Sequence, residues 1–133
     1  RGVMTGLTFA TTRANIARAA LEAMAAQTHD LASAFAADGA SWRSLRIDGG
    51  MSANDWMAQD IANILAIEVE RPAMVETTAL GAAMLAGVGA GLFPDLAEAA
   101  SAMRGERQRF TPAMNEASRA ARLKAWHKAL AAV

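Results

Sequence analysis

Cysteine is absent from the 133 residues. That excludes a disulfide-stapled scaffold and a thiolate metal site, and it fits a reducing, cytoplasmic setting. Charge of one sign is missing too. Lys+Arg and Asp+Glu each number 13, so the net charge is zero and no basic field exists to attract nucleic acid. No uninterrupted apolar run approaches the roughly 20 residues of a membrane span. The start, Arg1-Gly2-Val3-Met4-Thr5-Gly6, has no signal-peptide layout. It is not a methionine either, and a missing upstream segment is the simplest expectation. Internal repeats and low-complexity tracts are also lacking.

What remains is a chain with 53% hydrophobic residues, enough for a core and too many for disorder. Much of that content is alanine, which packs closely but buries little area per residue. The length fits one domain or a piece of a larger one.

Helix and strand signals alternate along the chain. Gly2 to Leu7 reads as a short strand or extended entry segment. A helix is expected from Thr12 to Ala36, capped by Thr11 or Thr12, with Ile16, Ala20, Met24, Leu31 and Phe35 on one face, and ended by Asp38-Gly39. Leu45 and Ile47 alternate with Arg46 in a strand from Ser44 to Asp48. Ser52, three residues before Asp55, predicts a capped helix from Ser52 to Leu65 that presents Met57, Ile61, Ile64 and Leu65. Ile67 and Val69 alternate with Glu68 and Glu70 in a further strand closed by Pro72. Thr77 or Thr78 opens another helix, which Gly87, Gly89 and Gly91 terminate. A short helix from Asp95 to Met103, a charged loop from Arg104 to Arg109, and a last helix ending at Ala132 complete the chain. That last helix presents Leu123, Trp126, Leu130 and Val133. The alternation predicts an α/β fold with a small sheet.

The chemistry concentrates at Asp48-Gly49-Gly50 and the helix behind it. A strand, a diglycine and a helix N-terminus point amides and a positive dipole end at one spot, which suits a nucleotide phosphate. Gly50 is the position where a backbone would approach the phosphate end, or else a turn glycine needing positive φ. Gly49 reads as structural, permitting the turn. Asn54 offers an amide that can donate and accept toward a base edge, or else a solvent-facing helix start. Asp48 either orients a water or the glycine amides, or simply ends the strand.

Other features read as bland. His29 and His127 are far apart in sequence and lack an H-E-x-x-H pattern, so no metal site is expected. Thr77-Thr78 reads as a cap. Gly81, Ala82, Ala83 and Ala86 would let their helix lie close to the sheet. The eight methionines and Trp126 read as core fillers, and Trp42 as a shield for a strand end.

Three ordered motifs carry a resemblance. Gly2-Val3-Met4-Thr5-Gly6-Leu7, followed after a gap by Asn15-Ile16-Ala17-Arg18-Ala19-Ala20-Leu21-Glu22, resembles the C-terminal signature of the FGGY carbohydrate kinases. Phe9-Ala10 departs from the basic residue and glycine common in that signature. Leu45-Arg46-Ile47-Asp48-Gly49-Gly50-Met51-Ser52-Ala53-Asn54 is similar to the adenosine motif of the actin/hexokinase superfamily. Val69-Glu70-Arg71-Pro72 with Glu76-Thr77-Thr78-Ala79-Leu80-Gly81-Ala82-Ala83 completes the match and leans toward the members that phosphorylate glycerol.

The resemblance implies the later half of a C-terminal, nucleotide-binding domain of ribonuclease-H-like fold. Gly50, Asn54 and Gly49 would face ATP, with Mg held mainly by parts absent here. The catalytic base and the residues that contact glycerol or a similar polyol would also lie upstream. The family's domain runs strand–strand–strand–helix–strand–helix–strand–helix, and this chain would start at the third strand. Unpaired edges near Leu45–Asp48 and Ile67–Arg71 would then favour self-association. The alternatives are a relative acting on another polyol or sugar, a non-catalytic actin-like nucleotide-binding module, and a helical interaction domain.

Overall fold

The computed structural model describes residues 2–132. In chain order the elements are α1 (Arg13–Ala37), β1 (Ser44–Arg46), α2 (Asp55–Leu65), β2 (Glu68–Pro72), α3 (Thr77–Gly89), α4 (Leu96–Ala102), β3 (Arg107–Phe110) and α5 (Glu116–Leu130), with a 3-10 turn over Gly50–Ala53 before α2. The sheet order is β1-β2-β3. β1 and β2 run parallel, with Leu45 opposite Val69, and β3 returns antiparallel, with Phe110 opposite Val69.

α1 begins as its sequence dictates. Thr12 accepts from the Asn15 amide, and Asn15 reaches back to the Thr12 amide, closing a capping box. Its buried residues are Ala25 and Ala26, small enough to let α2 approach closely. Ile16, Leu31 and Phe35 are exposed, so most of the expected apolar stripe is not buried among the described residues. Gly2 to Leu7 forms no strand, and Gly6 within it takes φ 76°.

α2 is the hub of the core. It supplies Met57, Ala58, Ile61, Ala62, Ile64 and Leu65, six of the nine clustered core residues, and Ala25, Val69 and Phe110 supply the rest. Its start differs from the sequence reading. Asn54 is the N-cap and accepts from the Met57 amide at 3.1 Å. Ser52 is buried in the preceding turn, where its hydroxyl donates to the Gly49 carbonyl at 2.7 Å. A 3-10 turn between diglycine and helix displaces the cap by two residues.

β2 alternates sharply. Val69 and Arg71 are buried toward α2. On the other face Glu70, its side chain only 12% exposed, is surrounded by Arg46 at 3.4 Å, Arg107 at 3.2 Å and Arg109 at 3.3 Å. The expected charged loop is therefore strand β3, because its arginines find the β2 carboxylates across the sheet. β3 also covers the Ile67–Arg71 edge, so the edge strands of the sheet among the described residues are β1 and β3.

That charged face is not one a helix can bury. Ala82, Ala83 and Ala86 are exposed rather than packed on the sheet, and α3 packs mainly against α4. Gly87 and Gly89 lie inside α3, while Gly91, at φ 74°, makes the left-handed exit. At Gly87 a Cβ would lie 2.9 Å from the Phe93 ring, so glycine there serves a close approach.

α5 buries no residue fully and is held by polar contacts. Arg122 grips both oxygens of buried Asp60, the second at 2.8 Å, and this hydrogen bond raises the arginine pKa. Arg119 donates to the Ile64 carbonyl at 2.8 Å, satisfying the C-terminal end of α2. Trp126 is partly buried and donates to Asp30 at 2.6 Å, which makes it a fastening rather than a core filler. Val133 lies outside the described residues. The methionines also depart from expectation. Only Met57 is buried, and Met4, Met51 and Met74 are exposed. Trp42 packs on Phe35 at 5.5 Å between ring centroids.

Arg71 ties three elements together. It donates to the Ser52 carbonyl at 2.6 Å, to Asp55 at 2.6 Å and to Gln108, while its guanidinium lies 5.3 Å from the Phe110 ring centroid. Arg71→Ala leaves a buried carbonyl and amide oxygen without a donor, at an expected cost of about 3 kcal/mol. Arg71→Lys keeps the charge but loses the fork, and should fall between. Denaturant unfolding of the parent protein carrying each change checks the order; equal stability of all three would contradict it.

Candidate functional site

The diglycine turn forms an open shelf at the C-terminal end of β1, where the parallel strands of α/β sheets present their ligand sites. Gly49 has φ 82°, a conformation that favours glycine, and its amide donates to the Val75 carbonyl at 3.0 Å. The Asp48 carboxylate accepts from the Thr77 hydroxyl. The strand exit is thereby stitched to the start of α3. Asp48 thus does more than end the strand: it holds the start of α3.

Thr77 is not a cap. The cap position is Glu76, which makes no side-chain cap bond, because the threonine hydroxyl is turned to Asp48. The pair is separated by 29 positions, so no local spacing could have disclosed it.

Gly50 is exposed and lacks positive φ, and a Cβ built there meets nothing within 4 Å. The turn requirement therefore falls on Gly49, while Gly50 fronts open space that a ligand backbone or phosphate can enter. Asn54 is exposed four residues further on. Its carbonyl oxygen is committed to the Met57 amide, which leaves its NH2 group as a donor toward a ligand rather than the donor and acceptor expected from sequence.

Two grooves lie elsewhere. One of about 680 Å³ runs between the N-terminal segment, α1 and α5, and is lined by Met4, Leu7, Ile16, Leu123 and Trp126 among others. Another of about 500 Å³ lies beside Ala53, Arg71, Val75 and Arg107. Neither is lined by Gly49, Gly50 or Asn54.

Residues 1–90 match the FGGY family of carbohydrate kinases, C-terminal domain. The chain belongs to the FGGY family of carbohydrate kinases. Among curated members, glycerol kinase of Rhodospirillum centenum is 53% identical over 130 residues, spanning 98% of this chain and 26% of that protein. Glycerol kinase of Gluconobacter oxydans is 50% identical over 131 residues, spanning 98% and 25%. The chain thus covers about a quarter of the length of these FGGY relatives.

Solved FGGY kinases share the architecture. A Plasmodium falciparum glycerol kinase crystallised with ADP superimposes with a TM-score of 0.74 at 33% identity, covering 95% of this chain and 25% of that one. A gluconate kinase from Lactobacillus acidophilus gives 0.65 at 25% identity, covering 94% and 25%. The α/β reading, as part of an actin/hexokinase-like fold, holds. No helix among the described residues is long and apolar enough to cross a membrane.

The two glycines of this FGGY segment should separate by substitution. Gly49→Val forces a branched residue into positive φ and should destabilise by at least 1 kcal/mol. Gly50→Val meets neither strain nor a neighbour, and should stay within about 0.5 kcal/mol of the parent. Thermal melts of the two variants side by side test this; equal destabilisation would return the turn requirement to both.

Proposed function

We propose that these residues are the nucleotide-binding C-terminal part of an ATP-dependent glycerol kinase, a cytoplasmic enzyme that transfers the terminal phosphoryl group of ATP to a terminal hydroxyl of glycerol. The observation that carries the reading is identity of about half with curated glycerol kinases along nearly the whole chain. The 25% shared with the gluconate kinase is far lower.

In this reading ATP lies over the diglycine shelf. Gly50 admits the phosphate end because no side chain stands in front of it. Asn54 donates from its free NH2 to an acceptor on the adenine edge, Gly49 sets the turn, and Asp48 with Thr77 fixes the turn against α3. Mg accompanies the nucleotide and is held mainly by the parts of the enzyme outside these residues. The catalytic base and the polyol-binding residues also belong to the rest of the enzyme. Phosphoryl transfer depends chiefly on positioning and charge stabilisation, and this segment contributes the positioning of the donor.

Steady-state kinetics of the full-length parent separate the two substrates. Gly50→Val should raise the KM for ATP about tenfold or more, since filling the approach costs on the order of 1–3 kcal/mol. The KM for glycerol should stay within about twofold. Asn54→Ser keeps the helix cap and removes the amide donor, so an ATP effect of about 2–10-fold is expected. Parental ATP affinity in both folded variants would refute the site.

Expressed alone, the segment should show no turnover with ATP and glycerol, because base and acceptor site are lacking and no cleft can close. It should also self-associate through the open β1 edge and the exposed Ile16, Leu31 and Phe35 of α1. Light scattering at low micromolar concentration reads the second outcome; a monodisperse monomer that melts cooperatively would overturn it.

A further inference from the structure

The fold brings together two histidines that the sequence keeps far apart. His29 on α1 and His127 on α5 place their ring centroids 6.4 Å from each other, with Asp30 between them. His127 Nε2 lies 3.1 Å and His29 Nδ1 3.8 Å from Asp30 Oδ1. One ligand atom from each of the three residues falls within 4.8 Å of the others. The expectation of no metal site rested on sequence separation, and that ground is gone.

Two details distinguish this cluster from an ordinary surface ion pair. His29 Nδ1 is buried and has no hydrogen-bond partner, a costly state for an imidazole nitrogen. It faces the Asp30 oxygen across a gap too long for a hydrogen bond. The other Asp30 oxygen is held by the Trp126 indole N–H at 2.6 Å, which fixes the carboxylate as an outer-shell donor fixes a metal-bound one. Burial opposes the charge on Asp30, but the Trp126 and His127 hydrogen bonds and its two histidine neighbours hold its pKa below the usual carboxylate value. The carboxylate is thus ready to act as an anionic ligand.

We propose that His29 Nδ1, Asp30 Oδ1 and His127 Nε2 bind one divalent cation of the zinc class, with water at a fourth, solvent-facing position. Two imidazoles and a carboxylate are a donor set zinc favours. Ligand atoms around a tetrahedral zinc sit roughly 3.3–3.5 Å apart given bonds of about 2.0–2.2 Å, so two of the three spacings need only small side-chain rotations. The cation would occupy the gap in front of His29 Nδ1. It would also tie α5 to α1, which matters because α5 buries no residue of its own fully and relies on polar contacts.

The test uses the full-length parent without nucleotide or magnesium, titrated with Co(II) as a spectroscopic stand-in for zinc. The expected result is one equivalent of bound Co(II) with the intense visible bands of a tetrahedral N2O2 site, and a zinc-dependent rise in Tm. His127→Gln, on the exposed face of α5, and His29→Gln should each lose that equivalent and the Tm shift, while circular dichroism stays parental. If Co(II) stoichiometry and spectrum are unchanged in both variants, or if the parent gives no tetrahedral bands, the site does not exist. Should one variant fail to fold, the other decides alone.

Discussion

Arg71 is the constraint on which the site depends. A guanidinium on the core-facing side of a strand has no water to turn to, so each of its donors must find an oxygen nearby. It finds them on the 3-10 turn, on the first residue of α2 and on β3. The turn and the start of α2 adjoin in sequence, whereas β3 lies far beyond them along the chain, and Arg71 bonds to both sides. The Asp55 partner is 67% exposed, so the ion pair itself contributes little. The bond to the buried Ser52 carbonyl is the stronger restraint, because that oxygen has no access to solvent as a substitute. Through it the turn that carries Gly49 and Gly50 is held against the sheet.

The rest of the packing follows from how β2 divides its faces. One face offers Val69 and Arg71 to α2, and alanines on α1 and α2 let the helices close over it. The other face is an arginine–glutamate ladder centred on Glu70. A ladder of that kind can be solvated but gives an apolar helix nothing to bury against. α3 accordingly packs beside α4, at the margin of the core, and meets the site only through Thr77 at its first turn. α5 is fastened by side chains of high reach, Arg119, Arg122 and Trp126, each bonded to an α1 or α2 group. The proposed site therefore adjoins α2, the best-packed element of the fold, which would suit a shelf proposed to position a phosphate.

Local signals settled much of this protein. The Thr12–Asn15 capping box, the apolar spacing of α2 and the alternation in β2 are encoded within a few residues of where they act, because backbone bonds and helix periodicity are short-range. Gly49 and the turn it makes belong to the same class. The family, too, was legible, since its motifs are contiguous stretches of sequence. What only the tertiary structure decided involves groups that meet across tens of residues. β3 was a charged loop until Glu68 and Glu70 stood opposite its arginines. Asn54 replaced Ser52 as cap because Ser52 is drawn into a 3-10 turn, its hydroxyl on the Gly49 carbonyl, and Arg71 holds that turn from a neighbouring strand. Asp48 found Thr77, and His29 found His127, through chain folds that no local pattern announces. The physical reason is the same in each case: a polar side chain takes its role from the partner that desolvation forces upon it, and sequence does not say which partner that is.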